Sequence, residues 1–270
     1  MKTQRTLFNA QLITAMEEGI IPWQIPWNSD PNAGIPSRPA SWELSRKKYF
    51  GIDVLLLQSA ALQKGFHSKY WARIEEWNAI GYQVNPPGTP VTHHTLYNAE
   101  QVTGPGIERF QIKSIPLTPN VLDLNYNIGK RVIESTKAQI KHGGERACYT
   151  RPIGKYPYTE GDFITLPPIE QFADPAEYYY AAMHELMHWS EAKLGWNYKK
   201  FGDGMSEIVA EIGSSFLMVD LKLPLRQHTN CKNMMPSWIE CMKKDENWIF
   251  EAATQASKGA SYIFSLTSHH

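Results

Sequence analysis

Cysteine is scarce in this chain, and its charge is balanced. Cys148, Cys231 and Cys241 are the only three cysteines in 270 residues, and their spacing matches neither a disulfide framework nor a metal ribbon. A disulfide-stapled scaffold is therefore excluded, and free thiols in a reducing cytoplasm are expected. Basic and acidic side chains both number 27, so no global field draws the chain to nucleic acid or to a membrane. Residues 1–115 carry 11 Lys/Arg and 9 Asp/Glu, a net of only 11 − 9 = +2. No apolar run approaches the roughly 20 residues of a membrane span. Lys2 and Arg5 precede no continuous apolar stretch, because Glu17 and Glu18 interrupt it, so no secretory leader is expected. Repeats and low-complexity tracts are also missing. What remains is a globular chain long enough for two domains and a sizeable core.

Within it stands His184-Glu185-Leu186-Met187-His188. Histidines four apart fall one turn apart on one helix face, so both imidazoles can reach a single Zn²⁺. Glu185 lies beside them, placed as a general base for hydrolysis. The surroundings predict a firm helix. Asp174 suits its N-cap, Pro175 its first position, Glu177 a capping box and Gly195 its end. Tyr180, Met183, Met187 and Leu194 recur at near-helical spacing and give it a face to bury.

Catalytic zinc usually takes three protein ligands. The form with Gly at position 191 and His at 194 is excluded, because Glu191 and Leu194 stand there. A later helix supplies the alternative. Ile208, Val209, Ile212, Phe216 and Val219 give it an apolar side, while Glu207 and Glu211 share a face one turn apart. Glu207 follows His188 by 207 − 188 = 19 positions, enough for a turn and a return. Glu207 is read as the third ligand and Glu211 as an acceptor for the free N–H of a ligand histidine. Zinc is the expected ion, with Mn²⁺ or Co²⁺ as alternatives. Tyr178, Tyr198 and His228 are the candidates for stabilising an oxyanion.

The remaining pattern predicts an α+β chain in two parts, residues 1–115 and 120–270, joined around Pro116-Leu117-Thr118-Pro119-Asn120. Helices are expected over 6–18, 53–64, 74–80, 127–142, 236–244 and 246–264, and strands over 91–97, 110–115 and 163–166. The first part is dense in aromatics set beside cations, as in Arg46-Lys47-Lys48-Tyr49-Phe50 and Lys69-Tyr70-Trp71-Ala72-Arg73. Bases of single-stranded nucleic acid stack on such rings while cations hold phosphates. Trp23, Trp27, Arg46, Lys47, Lys48, Tyr49, Trp71 and Arg73 are the candidates. Composition alone favours the other reading, that these rings form a core, because buried aromatics are the commoner case.

These residues carry a resemblance. Pro22-Trp23-Gln24-Ile25-Pro26-Trp27, Tyr49-Phe50-Gly51-Ile52-Asp53, Gly65-Phe66 and Tyr97-Asn98-Ala99-Glu100-Gln101-Val102 come first. They are followed by His184-Glu185-Leu186-Met187-His188-Trp189-Ser190 and Glu207-Ile208-Val209-Ala210-Glu211. Over nearly its whole length the chain resembles the ArdC-type antirestriction proteins of conjugative plasmids. Its first part is also similar to the start of some plasmid primases. The resemblance implies a small N-terminal α/β domain that binds single-stranded DNA and a C-terminal zincin-like metallopeptidase domain. It implies protection of incoming DNA from host restriction, in the cytoplasm or in a recipient cell reached together with plasmid DNA. The chain departs from the family at Ser190, where Thr is usual, and at Ser206, where a glutamate often precedes the ligand. Asn85-Pro86-Pro87-Gly88 replaces a turn that is commonly basic. A cytoplasmic zinc peptidase whose first domain recognises an unknown protein or peptide substrate remains the other reading. Neither involves a membrane.

Overall fold

The computed structural model describes all residues except 1–3, 25–29, 31, 40–47, 92, 114–117, 154–159, 197, 226–228 and 268–270. The chain forms two compact units. One comprises residues 1–117 and 232–251, the other 118–231 and 252–270. Residues 232–251 thus belong with the first unit, although the sequence gives no sign that the chain returns to it.

In the first unit, helix α1 spans Gln4–Glu17 and α2 spans Ile52–Lys64. Strand β1 (Trp71–Ala72), helix α3 (Ile74–Ala79), and strands β2 (Gln83–Val84), β3 (Thr89–Pro90), β4 (Thr95–Asn98) and β5 (Val102–Thr103) follow. β4 lies antiparallel between β1 and β3, while β2 pairs antiparallel with β5. The single strand expected over 91–97 is instead part of a hairpin, closed where the Val91 N–H donates to the His94 carbonyl at 2.8 Å. The strand expected over 110–115 is absent among the described residues. Phe110 follows a short 3₁₀ turn, Ile107–Arg109, and its ring joins a core cluster with Tyr70, Trp77 and Tyr82. Edge-to-face contacts of 5.2–6.0 Å link these rings, a geometry that suits their quadrupoles. Burial of the ring outweighs strand propensity here.

In the second unit, α4 spans Pro119–Ser135, and strands β6 (Gln139–His142), β7 (Cys148–Thr150) and β8 (Phe163–Leu166) form one sheet. β8 is central, parallel to β6 and antiparallel to β7. The helix predicted over 127–142 therefore ends early. The Thr136 hydroxyl donates to the Ile133 carbonyl at 2.6 Å, Lys137 turns at φ 55°, and the rest pairs with β8. Helix α5 (Pro175–Lys193) packs on this sheet and most extensively on α6 (Tyr198–Asp220), which is broken at Gly202. Helices α7 (Thr229–Lys244) and α8 (Trp248–Ser265) complete the chain.

Local chemistry explains α5. The Asp174 carboxylate accepts from the Ala176 N–H at 2.8 Å, and Pro175 occupies the first turn. Gly195, at φ 70°, lets the Trp196 N–H reach back to the Glu191 carbonyl at 2.9 Å. Met187 seats this helix against its neighbours. A Cβ at Gly213 would come within 2.2 Å of Met187 Cε, and one at Gly259 within 2.4 Å. Close helix approach thus depends on two positions without side chains.

Candidate metal centre

Two helices build the site. From α5, His184 and His188 project one turn apart, their rings 4.9 Å between centroids and inclined at 76°. From α6, Glu207 divides its oxygens between them. Its Oε2 lies 3.6 Å from His184 Nε2, and its Oε1 lies 3.5 Å from His188 Nε2. One ligand atom from each of the three residues can be chosen so that all lie within 4.8 Å of one another. A cation placed among them would have two nitrogen donors and one oxygen, the set found in catalytic zinc sites with a position left for water. Glu185, on the same helix, is buried.

The charges around the site also call for a cation. Carboxylate oxygens of Glu191, Glu207 and Glu211 lie 3.5–3.8 Å from nitrogens of the two imidazoles. Burial disfavours a charged His188, but the Glu191 and Glu207 carboxylates outweigh it and raise its pKa to about 9. The His184 and His188 imidazoles hold the Glu207 carboxyl well below the usual carboxylate range. A divalent cation would supply the positive charge that these carboxylates otherwise draw from a proton.

Each histidine has its own support behind it. His184 Nδ1 faces Glu211 Oε1 at 3.8 Å, and the other oxygen of Glu211 accepts from the Tyr180 hydroxyl. His188 Nδ1 lies 3.0 Å from Ser206 Oγ and 3.6 Å from Glu191 Oε1. Arg151 reaches both supports of His188, donating to Glu191 Oε2 at 2.7 Å and to Ser206 Oγ at 3.0 Å. Glu191, Ser206, Arg151 and Tyr180 were all missed by sequence reasoning. For Glu191 a signal existed, since it falls three residues after His188 on the same helix. For Arg151, 37 positions before His188 (188 − 151), none did. Of the oxyanion candidates, Tyr178 points elsewhere, its hydroxyl 3.0 Å from His142 Nε2 with the two rings stacked. His228 and the side chain of Tyr198 lie outside the described residues.

The proposed DNA contacts are dispersed. Trp27, Arg46 and Lys47 lie outside the described residues. Trp23 is 0% exposed and packs edge-on against Trp238 at 5.8 Å, and Trp71 is 1% exposed against Phe66. Both are core residues with no ring face for a base to meet, which corrects the expectation that they stack on DNA. Tyr49 is half-buried and donates its hydroxyl to the Trp71 carbonyl at 2.9 Å, and burial pushes its phenol up to about 12. Arg38, absent from the sequence candidates, lies over the Tyr49 ring at 5.7 Å and pairs with Glu76 at 3.6 Å. Arg73 pairs with the same carboxylate at 3.4 Å while remaining 41% exposed. Lys48 and Phe50 are exposed beside Tyr49.

Known proteins resemble this chain in sequence and in fold. Residues 2–105 match the family described as the N-terminal domain of anti-restriction factor ArdC, and residues 129–255 match the zincin-like metallopeptidase family. The chain is 25% identical to protein y4eC of Sinorhizobium fredii, over 96% of its own length and 91% of that protein. It is 28% identical to DNA primase TraC of Escherichia coli over 95% of its length, but it spans only 19% of the primase. The metal-free crystal structure of antirestriction protein ArdC from plasmid R388 aligns with a TM-score of 0.78 and 26% identity, covering 99% of this chain and 98% of that one. Its Mn(II)-bound form aligns with a TM-score of 0.72 and 25% identity, covering 99% of both.

Proposed function

The chain belongs to the ArdC-type antirestriction family, and from that premise we propose that it binds single-stranded DNA and hydrolyses peptide bonds at a metal centre, protecting incoming DNA from host restriction. The observation that carries the metal reading is the convergence of His184, His188 and Glu207 from two helices, with Glu185 alongside. These three residues would hold the ion. A bound Zn²⁺ supplies a Lewis acid that polarises a carbonyl and acidifies water. Glu185 takes the proton from the attacking water and delivers it to the leaving amine. The nitrogen-rich donor set favours Zn²⁺, and the Mn(II)-bound ArdC structure supports Mn²⁺ as an alternative.

For DNA, the ArdC N-terminal family match supports a binding role for residues 1–115, with residues 120–270 as the hydrolytic part. The exposed group of Lys48, Phe50 and Arg73, next to Arg38 and Tyr49, supports a contact face of mixed cations and rings. By the family likeness the protein would act in the cytoplasm, or in a recipient cell reached together with plasmid DNA. Burial of Trp23 and Trp71 takes two rings away from a stacking face, and the second reading has the first part recognise a protein substrate instead. Metal analysis of purified protein, run together with gel shifts on single- and double-stranded DNA, separates the two. Stoichiometric zinc with salt-sensitive, single-strand-selective binding is expected. Zinc without any shift at low salt leaves only the second reading.

A further inference from the structure

The side chains behind His188 form a closed hydrogen-bond circuit that the His184-Glu185-x-x-His188 motif does not require. Ser206 is 1% exposed and Glu191 3%, so water does not complete their bonding. We propose that Arg151, Glu191 and Ser206 act together as a positioning relay that sets the tautomer of His188 and aims its Nε2 at the metal position. The inference rests on the metal reading above and deepens it.

Proton counting supports it. A serine hydroxyl offers one hydrogen and two lone pairs. Arg151 can only donate, so Ser206 Oγ accepts from its Nη2 at 3.0 Å. Glu191 is ion-paired with Arg151 at 2.7 Å and is therefore an acceptor, and it takes the Ser206 hydrogen at 2.6 Å. One lone pair of Oγ remains, and His188 Nδ1 faces it at 3.0 Å. Nδ1 must then carry the hydrogen. Once a cation replaces the second ring proton, the lone pair falls to Nε2, on the side of Glu207.

Arg151 is itself held from outside the two helices. It follows β7 directly, and Gly161, two residues before β8, lies against its backbone. A Cβ at Gly161 would sit 2.2 Å from the Arg151 carbonyl oxygen, and Gly161 has φ 82°, so this close approach needs glycine. Asp162 ties the start of β8 to its surroundings, its N–H donating to the Thr150 carbonyl at 2.8 Å and its carboxylate pairing with Lys193 of α5 at 2.6 Å. His188 is thus anchored to the edge strand of the sheet through Arg151, whereas the support behind His184, Tyr180 and Glu211, lies within α5 and α6. The carboxylate beside His188 Nδ1 is supplied by Glu191 of α5. Ser206 of α6, where the family resemblance suggested a glutamate, joins it to the ring.

Zinc dissociation constants by competition with a chelator test the relay, with thermal unfolding of the metal-free proteins as a check on folding. Glu191→Gln and Ser206→Ala should each weaken zinc binding about 10- to 100-fold. The double variant should be no weaker than the weaker single, because both break one circuit. Arg151→Lys retains the ion pair and should bind more tightly than Arg151→Ala. Unchanged affinity in both single variants, or losses that multiply in the double, would overturn the relay. If Ser206→Ala does not fold, the near-isosteric Glu191→Gln and Arg151→Lys decide the matter. Failure of the unaltered protein to bind zinc would remove the metal reading and the relay together, and that reference is measured before any variant.

Discussion

Around His188 the second unit encloses matched polar groups, and around Phe110 the first encloses a cluster of aromatic rings; this contrast separates a motif that dictates its geometry from one that does not. Around His188 the buried Glu191 and Ser206 are each matched to a hydrogen-bond partner, because an unmatched polar group would be costly there. In the first unit Trp23, Tyr70, Trp71, Trp77 and Tyr82 are all enclosed, Tyr70 and Trp71 despite the cations Lys69 and Arg73 on either side of them. A His-x-x-x-His pair specifies its own helix face through the 3.6-residue repeat. An aromatic beside a lysine specifies no face, because a strand or loop can present either one to the core.

The sharpest way to break the contrast is at the polar end. Glu207→Ala should lose its zinc in metal analysis, whereas Glu185→Ala should keep the zinc and hydrolyse peptide about 10²- to 10⁴-fold more slowly. A Glu207→Ala protein that retains stoichiometric zinc would sink the site. At the aromatic end, Trp71→Ala should cost about 3–5 kcal/mol in denaturant titration, the usual range for an enclosed ring. Unaltered stability with lost DNA binding would show that Trp71 is a contact residue after all. Gly213→Ala, which forces Met187 from its seat, should cost about 1–3 kcal/mol by the same measurement. The gentlest change is Phe50→Ala, at an exposed ring. Its stability should stay within about 0.5 kcal/mol, while single-strand affinity falls by about 1–3 kcal/mol at low salt. Equal DNA affinity would remove Phe50 from the contact face.

The segments readable from sequence share one property. In α5, Asp174, Pro175 and Gly195 act through bonds to neighbours within a few positions, so the helix and its histidine face could be derived locally. The end of α4 could not, because residues 139–142 look helical in isolation and become a strand only by pairing with β8, more than twenty positions later. The hairpin around Val91 and the turn at Phe110 were hidden for the same reason. Glu207 was reachable because an apolar helix face fixed which side it shared with Glu211. Arg151 was not, because its place beside Ser206 depends on how β7 and β8 sit against α5.

The amino-acid order on its own determined the two-histidine helix, its ends, the acidic helix that answers it and the likeness to a two-part family. Each follows from hydrogen bonds and periodicities that act over one or two turns. Only the folded arrangement decided which aromatics are buried, which carboxylate backs which histidine, and that residues 232–251 rejoin the first unit. These depend on contacts between segments far apart in the chain, where packing and the matching of buried polar groups outweigh any local preference.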